Sequence, residues 1–191
     1  RVIIRYVIEA SSHVLNAFEK IFPSDERPRA AIDAAVQCLE FYSSPDAWLA
    51  EHEGITSLEI PLTAHAAQAA LDSANAIAIS GSKAEAANYA AWAAGKAAVA
   101  AYDYAWPLHH EKQREESGQK LSASDREKYL QQGGLSASQR AELLAWARDA
   151  AYEAAEYINL AALVSEDLAC EAHEWQRSLF LQILAAEDQD T

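Results

Sequence analysis

Turn-forming residues are scarce in this chain: its 191 residues include only 6 glycines and 5 prolines. A strand-rich fold needs such residues at its many tight turns, so their scarcity argues against a sheet protein and for helices. Cysteine is equally sparse. Cys38 and Cys170 stand alone, without the paired spacing of a zinc site and without the numbers for a disulfide framework. They are expected to be buried thiols in a reducing cytoplasm. Methionine is missing altogether. No apolar run of about 18 residues occurs, so no membrane-spanning helix is expected. The first segment is apolar, but Arg5, Glu9, His13, Glu19 and Lys20 interrupt it and no small-residue cleavage site follows; no secretion signal is expected. Basic residues are outnumbered, 15 Lys+Arg against 29 Asp+Glu, giving a formal net charge of −14 and a pI near 4.7. Nucleic acids and anionic membranes are held through lysine and arginine, so neither is an expected partner. A basic protein would be attracted and steered.

What remains is a helix-forming, alanine-rich chain, 51% hydrophobic and long enough for one domain with a substantial core. Apolar residues from Ile3 to Phe22 recur at helical spacing, and Pro23-Ser24-Asp25 ends that run. Pro28 suits the first turn of a second helix running to about Tyr42. Ser44-Pro45 opens a short helix carrying Trp48, and residues 55–62 are the one plausible extended stretch. A third long helix spans 64–79. Ser82-Lys83-Ala84-Glu85 has the form of a capping box, in which serine and glutamate satisfy each other's backbone donors. The run that follows has twelve alanines among residues 84–105 and is expected to kink or end at Pro107. Residues 109–139 turn polar and charged and read as a mobile insert. Ser136 to Gln139 then opens a helix to about Val164, and Ser165 caps a last one to about Leu184. The expectation is an all-α fold: one domain over 1–191, an irregular bundle of six to eight helices with a charged insert.

Few constellations point to chemistry. A di-iron bundle needs Glu-x-x-His pairs on inward faces, and Glu171-Ala172-His173 has the wrong spacing. His109 and His110 are adjacent in the polar insert and read as a solvated pair. There is no nucleophile elbow and no phosphate-cradling loop. No metal, cofactor or catalytic residue is therefore assigned. A helical enzyme or a small-ligand- or metal-binding protein stays open as the alternative from another class.

Acidic rows are the clearest surface feature. Asp149, Glu153 and Glu156 stack along one helix face at i, i+4 and i+7, and Glu166, Asp167, Glu171 and Glu174 cluster on the last helix. Both suit a docking surface for lysines and arginines, and both are also what an ordinary solvated face looks like. Glu153 interrupts an otherwise apolar row of Trp146, Ala150, Tyr157, Leu160 and Val164, so it is expected to be partly buried and to need a cation. Trp92, Trp106 and Trp146 are expected to fill the core, while Trp48 and Trp175 have the option of an interface.

The stretch from Phe18 through Pro23-Ser24-Asp25-Glu26-Arg27-Pro28-Arg29 to Ile32 resembles the opening of immunity proteins of bacterial polymorphic toxin systems, the immunity-protein-five-like group. The likeness covers about residues 10–40, is compositional over 64–106 and ends at 107. The resemblance implies a cytoplasmic antitoxin that binds and blocks one cognate toxin domain without a cofactor. The acidity suggests that the toxin is basic. The residues of the motif have structural work of their own: Ser24 or Asp25 to cap the second helix, Pro28 to set its first turn, and Arg27 and Arg29 to pair with acids on a neighbouring helix.

Overall fold

A computed structural model describes residues 1–43, 60–80, 84–119, 135–165 and 172–187, and every regular element among them is helical. In chain order these are α1 (Val2–Val14), the one-turn α2 (Asn16–Glu19), α3 (Arg27–Ser43), α4 (Ile60–Ile79), α5 (Glu85–Gln119), α6 (Ala137–Val164) and α7 (Ala172–Glu187). Among the described residues the all-α bundle is as expected. No helix among them is long and apolar enough to cross a membrane.

The alanine-rich α5 is the axis of the bundle, touching α1, α2, α3, α4 and α6. Alanines buried on every side of it, among them Ala87, Ala91, Ala94, Ala97, Ala98 and Ala101, explain why. A helix apolar all round belongs inside, and methyl-sized side chains let neighbours approach to the short end of the usual spacing, roughly 8 Å. Gly95 marks one close approach. A Cβ added there would stand 2.6 Å from Leu71 Cδ2 and 3.3 Å from the Ala67 carbonyl oxygen on α4. Larger side chains close the ends and flanks: Val7 and Val14 from α1, Leu15 from the junction, Phe18 from α2, Ile32 and Leu39 from α3, and Ile158 from α6.

Four boundaries differ from the sequence reading. The helix expected over 2–22 is interrupted at Leu15, whose carbonyl accepts from the amides of both Phe18 and Glu19; the chain tightens there towards 3₁₀ geometry while staying right-handed. α4 starts at Ile60, so the last residues of the supposed extended stretch are helical, and 55–59 lie outside the described residues. Pro107 does not end α5. It is buried within a continuous helix, and packing on both sides outweighs the loss of one backbone bond, about 3 kcal/mol in an unsupported helix. Residues 109–119 are consequently the last turns of α5 rather than part of an insert, tied to α6 by an ion pair between Glu111 and Arg140. The helix carrying Trp48, the serine of the first capping box and residues 120–134 lie outside the described residues. At α6 the second capping box is present: Ser136 Oγ accepts from the Gln139 amide at 3.2 Å, and the Gln139 side chain accepts from the Ser136 amide at 2.9 Å.

Candidate docking surface

The motif of the resemblance forms a polar clasp at one end of the bundle. Asp25 stands two residues before α3 and accepts from the Arg27 amide at 3.2 Å, so it takes up a free donor of the first turn. The same carboxylate takes both guanidinium donors of Arg27, at 2.8 and 2.7 Å, and the hydroxyl of Ser73 on α4, at 2.7 Å. The Arg27 guanidinium thereby holds the Asp25 carboxyl well down, to about 2. Arg29 reaches back to Glu19 at 2.8 Å and to Ser12 at 3.1 Å. So Arg29 pairs with an acid on a neighbouring helix, as expected, while Arg27 pairs within its own motif. Two carboxylates and two arginines join α1, α2, α3 and α4. A cleft of about 380 Å³ beside them is lined by Glu19, Asp25, Glu26 and Asp33, and two of those four carboxylates are already spent on arginines.

The acidic row lies on α6. Asp149, Glu153 and Glu156 are all exposed and share its outer face. Glu153 pairs with Lys96 of α5, so the expected cation is there. The expected burial is not, since half of the Glu153 side chain remains in solvent. The row containing it is a seam between α5 and α6 rather than a core stripe. Tyr157 stacks on Trp92 at 5.5 Å within that seam, and Trp146, expected to fill the core, is 51% exposed at its far end. Asp149 lies 3.4 Å from Arg148, with both side chains exposed. Ion pairs this open are worth only about 0–1 kcal/mol. Of the second acidic cluster, Glu174 is exposed at the start of α7; Glu166, Asp167 and Glu171 lie outside the described residues.

Sequence reasoning missed Trp146 and Lys96 as parts of this surface. Trp146 was legible: it precedes Asp149, Glu153 and Glu156 by three, seven and ten residues, the spacing of one helix face. Lys96 was not, because only the packing of α5 against α6 brings it to Glu153.

The candidate chemical groups are placed as follows. Cys38 is fully buried, its thiol pushed up to about 12 by burial, and it donates to the Ala101 carbonyl at 3.8 Å; it is no nucleophile at neutral pH. Cys170 lies outside the described residues. His109 and His110 are half-buried on α5 rather than solvated, His109 against the Trp106 ring at 6.1 Å. Among the described residues no group of three or more His, Cys, Asp or Glu side chains is placed to hold a metal. Comparison of the chain with family models, curated proteins and solved structures gives no match.

Proposed function

We propose that the chain acts by stoichiometric binding to another protein, as an antitoxin whose partner is a basic bacterial toxin domain. The observation that supports this is the outer face of α6. There Trp146, Asp149, Glu153 and Glu156 project together from a 28-residue helix seated on the bundle axis. An exposed indole is the side chain most often found at the energetic centre of an interface. Asp149 and Glu153 beside it are held by ion pairs weak enough for a partner's lysine or arginine to replace at little cost. The net charge of −14 adds long-range attraction for a basic domain. The resemblance of residues 18–32 to the immunity-protein-five-like group supports the same reading, which gives the chain a cytoplasmic site of action. Its clasp of paired charges fits a structural duty better than a contact.

Co-expression with a toxin domain encoded beside its gene provides the test. Survival should depend on this chain. The variant carrying Asp149→Lys, Glu153→Lys and Glu156→Lys together should lose protection while keeping its helical circular dichroism. Death despite soluble wild-type chain overturns the antitoxin reading. Full protection by the triple variant overturns the choice of surface.

A further inference from the structure

On the other flank of α6, towards α1 and α7, runs a groove of opposite character. Two depressions, of about 470 and 290 Å³, meet at Ile3. The floor is apolar and built: Tyr6 and Phe180 pack edge to face at 5.6 Å, seating α7 on α1. Ile3, Leu144, Tyr152 and Phe180 are all exposed along it, Tyr152 by 58%. Large apolar side chains gathered in one concave strip mark a binding surface, unlike the same residues scattered singly.

The charge of the groove is what identifies its occupant. Arginines line it at Arg1, Arg148 and Arg177, and among the described residues no carboxylate does, in a chain that carries 29 acids and 15 bases. Arg177 has no ion pair among the described residues, and Arg148 has only the open contact with Asp149. Along α6 the strip extends from Leu144 to Ala155, which is about 16 Å or three helical turns. An open apolar trough of that length is the receptor half of helix-in-groove recognition, read by anchors at i, i+3 or i+4 and i+7.

We infer that this groove docks an amphipathic helix with acidic flanks from a partner protein, its apolar stripe on Ile3, Tyr152 and Phe180 and its carboxylates on Arg148 and Arg177. The inference stands apart from the antitoxin reading, because it concerns a different face and a partner of opposite charge.

Fluorescence anisotropy with the full chain tests it. The probe is a labelled helical peptide of about four turns, with leucines at i, i+3, i+7 and i+10 and glutamates flanking them; a second peptide has lysine for every glutamate. The glutamate peptide should bind about tenfold more tightly than the lysine peptide and weaken with salt. Arg177→Glu should cost about tenfold and reverse that preference, and Tyr152→Ala should weaken both peptides. Both substituted side chains are exposed, so the fold should survive them. Failure of the glutamate peptide to saturate, or equal binding of the two, overturns the inference. Displacement of the peptide by laurate at equal concentration overturns it in favour of an anionic lipid. Self-association in sedimentation velocity that Tyr152→Ala abolishes overturns it in favour of a second copy of the chain.

Discussion

Asp25→Asn should destabilise the protein by about 1–2 kcal/mol at pH 7, and the deficit should vanish in acid. The magnitude follows from the clasp. Hydrogen bonds from Arg27 hold the Asp25 carboxyl at about 2 against an ordinary 3.8. That difference, at about 1.4 kcal/mol per unit, sets a ceiling near 2.5 kcal/mol. The Arg27 side chain is 48% exposed and that of Asp25 22%, so solvent screening trims the ceiling to about 1–2 kcal/mol. The sign is that of a depressed carboxylate. Its stabilisation is complete above pH 4 and is lost as pH falls from about 4 towards 2. Asparagine keeps an acceptor for the Ser73 hydroxyl; alanine does not, and because Ser73 is buried Asp25→Ala should cost about 1 kcal/mol more. Urea unfolding followed by circular dichroism from pH 7 to about pH 2 reads all three quantities. A wild-type and an Asn variant of equal stability at pH 7, or a deficit that does not shrink below pH 4, would refute the assignment.

Gly95→Ala gains helix propensity yet should still cost about 1 kcal/mol net, because the new methyl meets Leu71 at 2.6 Å. In a Leu71→Ala background the same change should stabilise by up to about 1 kcal/mol, and simple additivity in a double-mutant cycle by thermal denaturation would count against this crossing. Burial lifts the Asp103 carboxyl on α5 to about 6. A raised carboxyl disfavours the folded state once pH climbs through the window from 3.8 to about 6, so Asp103→Asn should stabilise by roughly 1–2 kcal/mol at pH 7 and by almost nothing at pH 4. Melting temperatures at the two pH values decide it, since each kcal/mol shifts a chain of this size by about 2–4 °C.

Where local chemistry decides structure, the sequence was readable. The Ser136–Gln139 box sets the first turn of α6, and the predicted end at Val164 coincides with the observed one. The buried alanines of α5 follow from composition alone, because no surface helix spends so many methyl groups. Pro107 and the polar residues after it were misread for a single reason: a proline's cost is judged locally, but α5 continues because five other helices hold it. The motif at residues 18–32 was legible as a cap and as a source of ion pairs. Its link to Ser73, 48 residues beyond Asp25, had no signal in the chain order.

The surface was less legible than the core because the two are coupled through side-chain size. An alanine core draws helices too close together for an indole to fit between them. Trp92, Trp106, Trp146 and Trp175 therefore sit at the seams, and none of them is fully buried. At a seam a ring covers backbone with one face and meets solvent, or a partner, with the other. Reading tryptophan as core filler holds for a leucine-rich bundle, where the helices stand further apart. In this chain Trp92, Trp106 and Trp175 pack against the core from its edge and Trp146 is exposed, and α6 shows the consequence on both flanks: an acidic seam ending at Trp146 towards α5, and an arginine-rimmed apolar trough towards α1. Close packing thus leaves two chemically opposite faces on one rigid helix, as a protein needs if it engages partners by charge and shape.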